Sequence, residues 1–266
     1  MKAVNCRYII LFFGAILSCT KEIDVEVNDA DPQLVIEANY DATNERVQVN
    51  LSMTKNVFET GVNSVITGAA VEILDENGLA TPLVNQGNGS YLLETYAPTY
   101  LSTYSMSVTV DGVVYSASSF LPEVVQLDSL SSIFTEASLF GDAGYVVYMN
   151  FADPAGLPNY YRAVRSVNGE VLTDLGDQFI FDDSFSEGNT QTVPFFGDRY
   201  DIGDSVMVEF RSYNKHSYEY YSQLFDLAGD GGQSAAPANP VSNWSNDALG
   251  HFSTWGWDSK YVVVVE

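Results

Sequence analysis

The amino-acid sequence predicts a mainly β protein, in which an N-terminal immunoglobulin-like β-sandwich precedes a second β-rich, sandwich-like domain with one α-helix. Short runs rich in β-branched and aromatic residues recur along the chain, and clusters of Gly, Asn, Asp and Pro separate them. In one such run, Val47, Val49 and Leu51 alternate with polar residues, which is the period of a strand with one buried face. Only one segment has the period of an amphipathic helix.

The first 18 residues have the layout of a secretory signal peptide. Lys2 and Arg7 give a positive start, and a nearly continuous apolar run extends from Tyr8 to Leu17. This run is about half of the ~20 residues that a helix needs to cross a bilayer, so it does not predict a permanent transmembrane helix. We therefore expect residues 1–18 to be a signal peptide that is removed on export.

Ile16, Ser18 and Cys19 have the spacing of a bacterial lipoprotein cleavage site, with an aliphatic residue, a small residue and a cysteine. Because Cys6 would leave with the signal peptide, Cys19 is the only cysteine expected in the mature chain. Thioether lipidation explains such an unpaired N-terminal thiol in an exported protein. Acyl chains such as palmitate would then anchor the protein in a membrane. The alternative is an ordinary signal peptide followed by a chance cysteine.

Residues 19–33 are expected to form the lipidated cysteine and an acidic linker. The whole chain has 11 Lys and Arg residues against 35 Asp and Glu residues, a net charge of −24 at pH 7. A field of this sign repels phosphate backbones, so the sequence excludes nucleic acid as a partner. The charge suits cations or a basic partner surface, although solubility alone would explain it.

Residues 34–122 are expected to form the immunoglobulin-like sandwich. Asp111 and Gly112 separate two predicted strands and are a hairpin signal, since Gly tolerates positive φ. Several short strands without helical periodicity are typical of this class of sandwich. The predicted strands are Leu34–Asn39, Val47–Met53, Ala70–Leu74, Tyr91–Glu94, Tyr104–Val110 and Val113–Phe120.

Residues 123–266 are expected to form the second domain, because a Leu-Pro-Glu sequence at 121–123 marks a boundary. A helix near 215–228 is predicted, with Asn214 as its N-cap and Gly229 at its end. The closing strand Lys260–Val265 contains four consecutive valines and is expected to be buried on both faces. The other predicted strands are Ser131–Thr135, Tyr145–Phe151, Tyr160–Val167, Gln191–Phe196 and Val206–Ser212.

Several segments along the chain resemble a known family. They are 153–162 (DPAGLPNYYR), 182–188 (DDSFSEG), 239–252 (NPVSNWSNDALGHF), 34–37 (LVIE) and 67–73 (TGAAVEI). Their order is similar to that in Bacteroidota lipoproteins known as domain of unknown function 4249. Members of that family are typically encoded beside TonB-dependent outer-membrane transporters. The resemblance therefore implies a lipid-anchored accessory of a nutrient-uptake system, with such a transporter as its partner and no established catalytic residues.

The acidic residues behind Cys19 also resemble the surface-export signal of Bacteroidota lipoproteins. We therefore expect an outer-membrane protein that faces the cell surface, with a periplasm-facing protein as the alternative.

Ser212 to Lys215 matches the Ser-x-x-Lys motif of penicillin-recognising enzymes, but its companion Lys-Thr-Gly is absent and the match is interpreted as chance. The other catalytic and phosphate-binding motifs do not occur in the sequence, so no catalytic residue, cofactor or metal site is predicted. Its only histidines are His216 and His251, and two histidines without a cysteine are a poor basis for a metal site. The acidic loop between Asp174 and Glu187 lacks the spacing of a calcium-binding loop and is interpreted as solvated. Paired carboxylates of a hydrolase are the alternative that spacing alone leaves open.

The candidate ligand-binding surface lies in the C-terminal tail. Trp255 and Trp257 would share one face of a strand and could stack on a sugar ring or an apolar ligand. The alternative is that these rings fill the core of the second sandwich. The candidate residues are Trp244, His251, Phe252, Trp255 and Trp257.

The predicted anchor, the family resemblance and the lack of catalytic motifs together imply a non-enzymatic accessory of a TonB-dependent uptake system. Such an accessory would capture a ligand or dock on the transporter. The ligand, whether a small molecule, a glycan or a peptide, is not specified by the sequence. The alternatives are a surface hydrolase that uses carboxylates, and a structural or adhesive spacer.

Overall fold

A computed structural model describes residues 31–55, 64–137, 142–184, 187–229 and 239–266. The segment Pro32–Glu266 forms one compact unit. It is mainly β with one α-helix, which confirms the predicted fold class. The predicted signal peptide at 1–18, Cys19 and the linker as far as residue 30 lie outside the described residues. Within the described ranges, no helix is both long enough and apolar enough to cross a membrane.

Two facing sheets build the N-terminal sandwich. Its strands are β1 (Leu34–Asp41), β2 (Arg46–Met53), β3 (Ala70–Leu74), β4 (Ala80–Pro82), β5 (Val84–Gly87), β6 (Ser90–Leu93), β7 (Ser102–Val110) and β8 (Val113–Leu121). One sheet has the order β4-β3-β7-β8, and β1, β2, β6 and β5 belong to the other. Ile36 and Met106 from the two sheets meet in one core. Val47, Val49 and Leu51 are buried there, so the predicted alternation along β2 is confirmed.

A second core lies between a three-stranded sheet and the other end of the larger sheet. The remaining strands are β9 (Leu127–Thr135), β10 (Gly144–Ala152), β11 (Tyr160–Val167), β12 (Glu170–Val171), β13 (Phe179–Asp182), β14 (Thr190–Pro194), β15 (Ser205–Tyr213) and β16 (Leu249–Val263). The three-stranded sheet has the order β14-β10-β9. Met149, Phe151 and Phe210 fill the core between it and β11 and β15. The helix α1 (Lys215–Gly229) follows β15.

β16 joins the two cores. The larger sheet has the order β12-β11-β15-β16-β1-β2-β6-β5, with β13 also paired to β11. β16 therefore pairs with β15 in antiparallel fashion and with β1 in parallel fashion. One continuous sheet thus includes strands from both predicted domains, 34–122 and 123–266. Trp244 and Phe252, from the C-terminal part of the chain, belong to the first core.

The close contact between β16 and β1 requires a glycine at position 250. Gly250 has a φ of +93° and lies opposite Ile36 in the pairing of the two strands. A Cβ atom added there would lie 2.2 Å from the backbone oxygen of Ile36. Both the backbone conformation and the space therefore exclude a side chain.

The prediction for the closing strand is wrong in two respects. The strand is β16, which begins at Leu249 rather than at Lys260. The valines at 262–265, of which the last two follow the strand, are not buried on both faces, because Val264 is fully buried while Val263 and Val265 are 45% and 62% exposed. The reason is that successive residues point to opposite faces, and only one face of this end packs on the second core.

Candidate functional site

The helix α1 lies across one face of the larger sheet, against β16 and β11. It begins after Asn214, whose Oδ1 accepts a hydrogen bond of 2.9 Å from the backbone N–H of Ser217, so the predicted N-cap is present. Tyr221 and Phe225 face the sheet, where each contacts an arginine side chain of β11. Leu224, which directly precedes Phe225, is exposed. The helix thus covers the middle of the sheet with aromatic rings.

The five residues of the predicted ligand surface lie in three different settings. Trp244 and Phe252 are buried in the first core, where Trp244 Nε1 donates to a backbone carbonyl of β1 at 3.0 Å. His251 is buried beneath α1. Trp255 and Trp257 lie two residues apart on β16 and share a face, as their spacing predicts. Four of the five residues, Trp255 included, are therefore buried, and Trp257 alone of the five is partly exposed.

His251 is held neutral by its surroundings. Its ring stacks on Tyr220 with 4.6 Å between ring centroids, and its Nε2 lies 3.3 Å from Ser217 Oγ. Burial, with a smaller contribution from His216, lowers the pKa of His251 to about 3. Its Nδ1 is buried and has no hydrogen-bond partner among the described residues. The imidazole therefore acts as a packing group between helix and sheet.

Trp255 and Trp257 occupy the sheet beside α1. The guanidinium carbon of Arg211 lies 4.9 Å from the Trp255 ring centroid, which is the geometry of a cation–π contact. Trp257 Nε1 donates to Asp41 Oδ1 at 3.0 Å. Trp255 also borders a cleft of about 200 Å³ that Asn39, Asp41 and other polar residues of β1 and β2 line. Trp255 is therefore a buried ring at the border of a polar cleft, and the two tryptophans do not form an open platform.

An open cleft of about 400 Å³ lies at the edge of α1. Arg162 of β11 and Arg211 of β15 form its floor, and they are direct partners in the pairing of the two strands. Phe225 of α1 forms one wall, and Val171 with Leu172 form the opposite one. We call this the arginine cleft; Val164, Thr173 and Gln178 complete its lining.

Each arginine of the cleft donates a hydrogen bond to a neighbouring side chain. Arg162 Nη2 donates to Gln178 Oε1 at 2.7 Å, whereas its Nε is buried and has no partner among the described residues. Arg211 Nε donates to Glu209 Oε1 at 2.6 Å. By contrast, Arg165 on the opposite face of β11 is paired with Asp198 and also donates to a backbone carbonyl. Arg165 Nε, like Arg162 Nε, is buried without a partner among the described residues, so the two arginines differ only in that Arg165 also pairs with a carboxylate.

Sequence reasoning missed the arginine cleft. The signal it could have used is the scarcity of basic residues, since 11 Lys and Arg stand against 35 Asp and Glu. In such a chain, arginines within otherwise apolar strands need a reason. However, the pairing of Arg162 with Arg211 depends on the register of β11 and β15, which no local pattern encodes.

The carboxylates of a third cleft, of about 520 Å³, have structural partners. Asp75 Oδ1 accepts backbone N–H bonds from Asn77 and Leu79, which stabilises a turn. Glu76 Oε2 accepts a bond of 2.7 Å from Ser102 Oγ. Throughout the described ranges, no three His, Cys, Asp or Glu side chains are grouped so as to hold a metal ion.

Comparison with known proteins identifies the family. A chain of the chicken interferon gamma receptor alpha chain structure is 10% identical, with 88% of this chain and 98% of that chain covered at a TM-score of 0.23. No curated protein matches the sequence. The family described as "Domain of unknown function (DUF4249)" matches residues 20–261, which is most of the chain. This protein therefore belongs to the DUF4249 family.

Proposed function

We propose that this protein is a lipid-anchored, non-enzymatic accessory of a TonB-dependent nutrient-uptake system, in which it captures a ligand at the outer membrane. The observation that carries the proposal is a lipoprotein cleavage site at Cys19 ahead of a compact cargo with an arginine- and aromatic-lined cleft. Concave sites with a few convergent polar groups are typical of small-molecule binding. The chain's segment-by-segment resemblance to Bacteroidota lipoproteins supports the outer membrane and the transporter partner.

Ligand capture accounts for the arginine cleft better than a spacer role does. A module that only spaces or adheres has no need for two partly buried arginines side by side in a cleft without a carboxylate in its lining, because each guanidinium is expensive to desolvate. Lipid attachment would keep the cargo close to the transporter and so raise its effective concentration there. Display on the cell surface is the orientation we propose, and the acidic linker behind Cys19 supports it.

The anchor is tested by the full-length Cys19→Ala variant, expressed in the native host and followed by membrane fractionation. We expect loss of lipid labelling and release of the protein from the membrane fraction. Cys6→Ala is the matched control, since it removes a thiol of the leader only and should leave partitioning unchanged. A Cys19→Ala protein that still partitions with membranes would overturn the tether.

The partner is tested by a pull-down of tagged full-length protein from solubilised outer membranes. We expect a TonB-dependent transporter to be recovered together with the protein. Recovery of no transporter under conditions that retain known outer-membrane complexes would contradict the docking part of the proposal. Protease treatment of intact cells tests the orientation, because only a surface-facing cargo is digested.

A further inference from the structure

We propose that the arginine cleft is the binding site for a small organic oxyanion, in which Arg162 and Arg211 hold a carboxylate or phosphate group and the cleft walls contact an apolar moiety. This inference deepens the proposed capture role by naming the class of ligand, and it rests on that role. It concerns residues that the sequence patterns do not single out.

The charge distribution supports an anionic ligand. The chain carries −24 overall, yet the lining of the arginine cleft contains two arginines and no carboxylate. Among the described residues, no carboxylate oxygen lies within ion-pair distance of Arg162, although Arg165, Arg211 and Lys215 each have such a partner. Because Arg162 is half-buried and has no carboxylate partner in an acidic chain, we expect it to pair with an anion that binds from solution.

The aromatic residues hold both guanidinium groups in place. The guanidinium carbon of Arg162 lies 5.2 Å from the ring centroid of Tyr221 and 5.0 Å from that of Phe225. Arg211 lies in the same way over Trp255. These contacts restrict the side-chain rotamers, so little entropy is lost when a ligand binds. They also desolvate one face of each guanidinium, which strengthens its hydrogen bonds to an anion.

The guanidinium groups of Arg162 and Arg211 suit an oxyanion as ligand. Cross-strand partners in a sheet have Cβ atoms about 5 Å apart, so two guanidinium groups can converge on one group of oxygens. Arginine presents its N–H donors as a planar fork that matches both carboxylate and phosphate oxygens. The terminal nitrogens of the two guanidinium groups, rather than the buried Nε of Arg162, are the donors that a ligand oxygen would reach.

The walls and the volume define the rest of the ligand. Phe225, Val171 and Leu172 provide apolar surface on two sides of the cleft. A volume of about 400 Å³ is in the range of sites for small molecules. The ligand class is therefore an anion with a compact ring or aliphatic group.

The test is a titration of the purified full-length protein with phenylacetate, phenyl phosphate and the uncharged 2-phenylacetamide at constant ionic strength. The arginine Nε–Hε NMR resonances report binding, and arginine variants assign them. We expect at least one anion to shift the Arg162 and Arg211 signals saturably and the amide to leave them unchanged. The preferred anion then identifies the ligand's acidic group as carboxylate or phosphate.

Two variants test the site itself. Arg162→Gln should weaken anion binding at least about tenfold, because a hydrogen bond to a charged group is lost. Thr173→Glu should also weaken anion binding while both arginines stay in place. Thr173 is an exposed residue of the lining, so the new carboxylate would compete with the anion for the arginines. Arg46→Gln is the matched control, because it removes one positive charge outside the arginine cleft and should leave the affinity unchanged.

Three results would overturn the inference. The first is that 2-phenylacetamide binds as tightly as the anions, and the second is that Arg46→Gln and Arg162→Gln lose anion affinity to the same extent. The third is that neither anion gives a saturable shift up to about 20 mM, which is well above the millimolar dissociation constant expected of so small a ligand. Thermal unfolding of each variant separates a lost contact from a lost fold, and Thr173→Glu remains decisive if Arg162→Gln unfolds. Failure here would leave the membrane and transporter experiments unaffected, so the two proposals fail separately.

Discussion

At the scale of single residues, burial decides the chemistry of His251. Its imidazole is enclosed by Tyr220 and Tyr221 of α1 and by β1, where Glu37 is its strand partner. Burial there favours the neutral ring, and this is why its pKa falls far below the ordinary value. The exposed His216 contributes a smaller repulsion. From the sequence alone the two histidines look alike; their environments separate them.

His251 should make the protein sensitive to mild acid. Its pKa is about 3 in the folded state against 6.5 unfolded, so below pH 6.5 the unfolded state binds a proton that the folded state does not. The stability from this residue is complete above pH 6.5 and is lost as pH falls towards 3. Between pH 7 and pH 5 the free energy of unfolding should fall by about 2 kcal/mol more than in His251→Gln.

Denaturant unfolding of both proteins at the two pH values measures this difference. His216→Gln is the matched control, since its side chain is 80% exposed and should leave the pH dependence of the wild type unchanged. Parallel pH profiles for the wild type and His251→Gln would contradict the prediction.

At the scale of the elements, α1 shows how a helix is positioned by its N-cap residue. Asn214 caps the helix through Oδ1, and its Nδ2 donates to Ser119 Oγ and to the backbone oxygen of Phe120 on β8. The same side chain therefore starts the helix and attaches it to the end of the first sandwich. Sequence reasoning predicted the cap because Asn before an amphipathic segment is a local signal. It could not predict the attachment, which joins residues almost a hundred positions apart.

Asn214→Ala should lower the free energy of unfolding by about 1–3 kcal/mol, since it removes a cap and two further hydrogen bonds. Lys215→Ala is the matched control at the next position, because its ion pair with Glu219 is exposed and should contribute less than about 0.5 kcal/mol. Denaturant unfolding followed by circular dichroism measures both. Equal losses in the two variants would show that the cap contributes nothing beyond local helix propensity.

At the scale of the whole molecule, β16 makes the two cores depend on one another. Its first half pairs with β1 beside the first core, and its second half pairs with β15 beside the second. Loss of either core would leave half of this strand without a partner. The predicted boundary between 122 and 123 therefore does not divide the two cores cleanly, because β16 borders both and Trp244 and Phe252 lie in the first. Unfolding experiments can establish whether the boundary separates independent folding units.

We expect a single cooperative unfolding transition. Met106→Ala in the first core and Met149→Ala in the second are a matched pair, because both side chains are fully buried. Each should lower the free energy of unfolding by about 2–5 kcal/mol and shift the whole transition. Differential scanning calorimetry measures this. Two resolved peaks, with each variant shifting only one of them, would contradict the prediction and establish the boundary as thermodynamic.

The arginine cleft also belongs to this scale, because it needs β11, β15 and α1 together. Arg162 and Arg211 are 49 residues apart in the sequence, and only the strand register makes them neighbours. The predicted aromatic surface failed to form an open platform for the same reason. Trp244 and Phe252 were assigned to a C-terminal tail, but parallel pairing of β16 with β1 carries them into the first core.

The amino-acid sequence is sufficient for what neighbouring residues encode: the alternation in β2, the helix and its cap, and the mainly β class. These features arise from periods of two to four residues and from single turn or capping residues. Long-range pairing settles the rest, namely the length and direction of β16, the joining of the two cores and the arginine cleft. The physical reason is that strand register is selected by the burial of distant side chains against one another, and this energy belongs to no single segment.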